Sequence, residues 1–186
     1  GSTKGKGAIR KILVVTQFSI SVVLLIATAI TIQQLDYLNT RDLGFDKDQV
    51  VTLSYYSELQ PSYEAFHNEL LRSSSIKNAG RSSRIPTGRL LDSQGAPSVA
   101  KGDSLVSTGV NTKNVEIDPD FISTYGMEMV AGRNFSKANA TDDSLGFIVN
   151  EAAIKEYGLS SPESGINKDF SYGGVMGKLV GVVKDF

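Results

Sequence analysis

The residues that could do chemistry in this chain are few. His67 is its only histidine, and it has no cysteine. One imidazole without thiols cannot build the His- and Cys-rich shell that holds zinc. Next to Phe66 on a predicted helix, His67 reads as a solvated or capping side chain rather than a catalytic one. Asp46, Asp48, Asp118, Asp120, Asp142 and Asp143 are the carboxylates to weigh for calcium. Their spacings do not fit an EF-hand loop, and turn or cap duty accounts for most of them. GGVMGKL at 173–179 has the glycines and lysine of a phosphate loop, but Tyr172 stands where the first glycine belongs and Leu179 where Ser or Thr belongs. Its glycines are better read as a hairpin turn before a strand. No serine lies in a G-x-S-x-G context. Asn134-Phe135-Ser136 and Asn139-Ala140-Thr141 fit the glycosylation sequon. The chain therefore reads as a non-enzyme that binds no cofactor or metal of its own.

The elements that would position such residues begin with an apolar run. From Ile12 to Ile32 no residue is charged, a stretch of 21 residues. At a rise of ~1.5 Å each it spans roughly 30 Å, the hydrocarbon thickness of a bilayer. The run exceeds the apolar core of a signal peptide and continues into Gln33-Gln34-Leu35-Asp36-Tyr37 without a small-x-small cleavage site. Lys4, Lys6, Arg10 and Lys11 precede it unopposed by any acid. Of 19 basic and 20 acidic residues in all, 15 basic (19−4) and 20 acidic remain for the rest of the chain. The positive-inside rule then predicts a cytoplasmic N-terminus and an extracytoplasmic remainder. No basic patch interleaved with aromatics points to nucleic acid.

Polar residues interrupt the run on one side. Counting from Gln17 at about 100° per residue, Ser21, Thr28 and Thr31 fall at about 40°, 20° and −40°. Gln17, Ser21, Thr28 and Thr31 thus share a stripe, which we read as a face that packs against another membrane helix. Back-bonding of the hydroxyls to their own helix is the alternative, and it is the reading taken for Ser19. With no Pro or Gly from Ile32 to Leu43, the helix is predicted to run from about Ile9 to Leu43, with 33–44 as a stalk and Gly44 as its C′ stop.

Residues 45–186 are the right length for one extracytoplasmic domain, which without cysteine must rely on its core. Strands are predicted at 49–56, 76–85, 105–117, 127–130, 146–150 and 178–183, with helices at 61–73 and 151–157. Pro86–Asp103 reads as a loop or loose hairpin. Asp118 is placed as an N-cap, Pro119 at the first helical position and Asp120 near the positive end of a short helix closed by Gly126. Gly132 and Arg133 are read as a plain turn with an exposed cation, in preference to a pair between Arg133 and Asp142 or Asp143. The organisation is a basic N-terminus (1–11), a transmembrane helix (12–32), a stalk (33–44) and a core domain (45–186). The fold class is α+β (mixed α/β), an extracytoplasmic domain on one N-terminal transmembrane helix that extends into a stalk.

Those segments also carry a resemblance. QFSISVVLLI after Arg10-Lys11, DLGFDKDQVVTL, VEIDPDFISTYGMEMVAGRNFS, Asp142, IVNEAAIKEYGL and VGVVKDF follow one another in order. From about Gly7 to Phe186 the chain resembles the periplasmic core domain, with its first transmembrane helix, of MacB-like and FtsX-like ABC transporter permeases. That resemblance implies an inner-membrane subunit with a porter-like α/β periplasmic part, three further membrane helices, and a separate or fused cytoplasmic ATPase that binds the ATP. It implies the lipid bilayer, other permease helices or a second permease subunit, the ABC ATPase and periplasmic proteins as partners. Members of the family export lipoproteins, peptides or drugs, or transmit force across the membrane. Two departures stand out. The family's domain continues where VKDF ends here, so truncation is expected, and 158–173 is more polar than the family's LGW-type segment. The continuous apolar run at Lys178–Val183 predicts a strand inside a sheet, and with it an expectation of chain beyond Phe186 that returns to the membrane beside residues 33–43.

An extracytoplasmic sensor domain of a signalling receptor would share the single helix and α/β domain, and is the alternative. A pilin-like subunit would want a Glu early in the apolar run, and here the intruders are Thr, Gln and Ser.

Overall fold

The computed structural model describes residues 3–40, 43–46, 49–86, 88, 92–139 and 141–186, with the side chains of 3–6, 39, 40 and 143 outside that description. Asp48 and the side chains of Lys4, Lys6 and Asp143, all weighed above, therefore lie outside it, as do residues 41 and 42 of the predicted stalk. The chain forms two units, divided between Asp42 and Leu43.

The first unit is a single helix, α1 (Thr3–Thr40). Its part from Gly7 to Leu38 is long and apolar enough to cross a membrane, and its side chains are exposed along that length.

The second unit is α+β. Its elements are a 3₁₀ turn at Ser57–Ser62, α2 (Tyr63–Leu71), β1 (Ser98–Lys101), β2 (Ser104–Ser107), α3 (Phe121–Thr124), β3 (Met129–Gly132), α4 (Asp142–Leu145), β4 (Gly146–Asn150), α5 (Glu151–Glu156), α6 (Pro162–Gly165), β5 (Asp169–Tyr172) and β6 (Val175–Val183). The strands form one six-stranded sheet along the path β2-β1-β5-β6-β3, with β4 also on β6. All pairings are antiparallel except β4 with β6.

β6 is the hub. It pairs with β5 over 175–178, β4 over 178–183 and β3 over 181–183. Leu179 and Val182 are wholly buried. Two core clusters explain why this strand is apolar without alternation. Phe147 and Val149 of β4 pack with Val99, Tyr157, Phe170 and Leu179, whereas Ile148 packs with Phe121, Ile122, Tyr125 and Val183. Successive strand residues face opposite ways, so the clusters cover opposite faces of the sheet.

Local chemistry sets the ends of several elements. Asn150 caps α5 by accepting from the Ala153 amide at 3.1 Å. Ser161 and Ser164 form a reciprocal capping box with Pro162 at the start of α6. Gly173 and Gly174 both have positive φ and turn β5 into β6, as a two-residue hairpin loop requires.

Three strand expectations are corrected. Residues 50–56 form no strand, and Val51 and Leu53 are 82% and 70% exposed. Their β-branched and aromatic side chains suit a pleated surface, but the run has no partner strand among the described residues. Residues 76–85 are irregular, touching the sheet rules only through an isolated bridge between Ser82 and Ile117. Of 105–117, only Leu105–Ser107 is strand, within β2, where it closes the hairpin with β1. Conversely β5 lies outside the predicted strands, because DFSY sits in a polar stretch and its two core side chains, Phe170 and Tyr172, are flanked by Asp169 and Ser171.

Candidate functional site

On α1 the three hydroxyls of the predicted polar stripe are back-bonded. Ser21 donates to the Gln17 carbonyl, Thr28 to Leu24 and Thr31 to Ala27, each at 2.9 Å. This satisfies the hydroxyl donors inside the helix and leaves the face with Gln17 exposed.

In the second unit the polar side chains gather around the turn that precedes α3. The helix starts at Phe121, two residues later than Asp118 as N-cap and Pro119 as first helical residue would place it. Asp118 still organises the start. Its Oδ1 accepts from the Asp120 amide at 3.1 Å, and its carbonyl accepts from the Phe121 amide at 3.2 Å. Pro119 lies in the intervening turn, where its carbonyl accepts from Asn134 Nδ2 at 2.7 Å.

α2 docks onto this turn by polar contacts. The Tyr63 hydroxyl donates to Asp118 Oδ2 at 2.9 Å. Burial, then the bonded Asp118 carboxylate, pushes the Tyr63 phenol above its ordinary range. The Arg81 guanidinium lies 4.6 Å from the Tyr63 ring centre and 5.2 Å from that of Tyr55, and it donates to the Tyr55 hydroxyl. One turn after Tyr63, His67 is buried, only 6% exposed, which corrects its reading as a solvated or capping residue. Its Nε2 bonds the Ala79 carbonyl at 2.9 Å and so carries the proton, while Nδ1 is buried with no hydrogen-bond partner. Asp120 Oδ2 stands 3.5 Å from Nε2 and 3.8 Å from Lys137 Nζ. The signal for this cluster was available in part: Tyr63 and His67 are four apart on a helix and share a face. Arg81 and Tyr55 gave none, because they lie in irregular segments.

A second constellation follows β3. Arg133 grips Asp142 through both terminal nitrogens, at 2.5 and 2.9 Å. The Asp142 side chain is 4% exposed, and Oδ2 also accepts from the Ser136 amide at 3.0 Å. The Arg133 guanidinium holds this carboxyl at about 2, against an ordinary 3.8, outweighing the burial that would raise it. The plain-turn reading of Arg133 is thus corrected. Gly132 has φ +71, and a Cβ there would collide with the Val180 carbonyl. Its role is close approach to β6 as well as turning.

Gly44, expected as the helix stop, lies beyond the last helical residue, Thr40. Its φ is +69, and a Cβ would collide with the Asp185 carbonyl. Beside it Phe45 meets Tyr125 edge-on at 5.7 Å and Phe186 at 6.4 Å, and the Asp46 amide donates to the Tyr125 carbonyl. Chemically, these arrangements position segments. Among the described residues no three His, Asp or Glu side chains gather as a metal site.

No protein-family model matches the chain, and no curated protein does. Among solved structures it is similar to a domain of a protein described as a permease from Porphyromonas gingivalis, with 17% identity over 60% of this chain and 44% of that one, and a TM-score of 0.39. It is also similar to the periplasmic region of MacB from Actinobacillus actinomycetemcomitans, with 16% identity over 71% of this chain and 57% of that one, and a TM-score of 0.41. The chain thus spans 44% and 57% of the lengths of these two structures.

Proposed function

We propose that the chain is the first membrane helix and the periplasmic core of a permease subunit in an ABC transporter, a non-catalytic part that couples a cytoplasmic ATPase to export or force transmission. One observation carries the reading. A helix able to cross a bilayer, with Lys4, Lys6, Arg10 and Lys11 at its head, leads into a separate α+β unit built on the motifs quoted above. In this reading the N-terminus is cytoplasmic, the α+β unit is periplasmic, and the protein belongs to the bacterial inner membrane. The exposed face of Gln17, Ser21, Thr28 and Thr31 meets other permease helices or a second permease subunit, and the rest of α1 meets lipid. ATP binds to a partner ATPase subunit or domain. The Gly173-Gly174 pair supports that division, because it closes a β-hairpin instead of opening a helix under a phosphate.

The test pairs nucleotide binding with assembly. The purified chain in detergent should show no saturable binding of ATP. The full subunit from the source genome, co-expressed with its neighbouring ABC ATPase, should co-purify with it. Micromolar ATP binding by the chain itself, or a reading frame that leads instead through one span into a kinase or methyl-accepting helix, would overturn the proposal.

A further inference from the structure

We draw no further inference here: the strongest candidate, the exposed irregular run at residues 51–56 ahead of α2, is a surface for which nothing in the structure shows what covers it.

Discussion

At the scale of single residues, the most informative pair is Arg133 with Asp142. A surface ion pair contributes under ~1 kcal/mol, which is why the sequence favoured a plain turn. The structure changes the terms of that comparison. Asp142 is buried, accepts two guanidinium bonds and takes a backbone amide, while Arg133 stays half exposed. A carboxyl lowered from 3.8 to about 2 in the folded state corresponds to roughly 2 kcal/mol of stability. Because the folded value is the depressed one, that stability is fully present above the unfolded carboxyl range near pH 4. It is lost as pH falls from there toward 2. Asp142→Asn should therefore cost about 1–2 kcal/mol at pH 7, and its difference from the wild type should shrink to a small remainder at about pH 2 and vanish only below it. Urea unfolding of the full chain in detergent across that range measures it. A difference independent of pH would show that the pair does not carry the effect. Nothing in the spacing of these residues revealed the contact, since the path of the intervening turn decides whether they meet. Gly132 makes a companion case. With φ +71 and the Val180 carbonyl where a Cβ would stand, Gly132→Ala should cost more than ~1 kcal/mol, through strain and through displacement of β3 from β6. Unfolding of the variant beside a Gly109→Ala control, also at positive φ but with open space around it, separates the steric part from the conformational part.

At the scale of elements, packing decides where propensity was ambiguous. β4, α5 and β6 were legible because burial and local signals agree: an apolar strand, an Asn cap, and a Gly158 that ends the helix at φ +72. Residues 50–56 were misread because propensity reports how side chains fit a sheet and says nothing about whether a partner strand exists. A consequence follows for mutation. Leu53 is 70% exposed, so Leu53→Ser should change stability by no more than ~0.5 kcal/mol. Leu179 on β6 is wholly buried between β4 and β5, so Leu179→Ala should cost about 2–4 kcal/mol. Chemical denaturation of both variants in the same chain tests this, and a cost at Leu53 approaching that at Leu179 would mean that the run is packed after all. α2 makes a different prediction. Its docking rests on the Tyr63–Asp118 bond, the His67–Ala79 bond and the Arg81 stack. Tyr63→Phe keeps the ring under Arg81 but leaves a carboxylate oxygen without its donor, costing about 1 kcal/mol or somewhat more. Hydrogen exchange should then quicken across 63–71 and leave the β6 amides unchanged. Uniform acceleration over both elements would show instead that α2 and the sheet open together.

At the scale of the whole molecule, the sequence was legible in its two-part plan and silent on its loops. The apolar run defined one unit and the alternation of strands and helices the other, because a run long and apolar enough to cross a bilayer and an alternation fitted to a sheet are different patterns. The polar cluster at the head of α3 was hidden because it draws on Tyr55, Tyr63, Arg81 and Asp118, which only the fold brings together. Orientation is the remaining property of the plan, and charge is the argument for it. Four cations stand ahead of the span with no acid among them, whereas the remainder is acidic by five charges, 20 acidic against 15 basic residues. Retention of cationic flanks on the cytoplasmic side predicts which end faces inward. The chain lacks cysteine, so single substitutions report without background. In intact cells a membrane-impermeant thiol reagent should label Asp103→Cys, in the exposed β1–β2 turn, and should reach Thr3→Cys only after permeabilisation. Replacing Lys4, Lys6, Arg10 and Lys11 together by Gln should then produce a mixed population, with part of the Thr3→Cys molecules labelled from outside. Labelling of Thr3→Cys alone in the unaltered background would reverse the topology. Equal labelling of both sites in intact cells would show that α1 does not hold the two ends on opposite sides of the membrane.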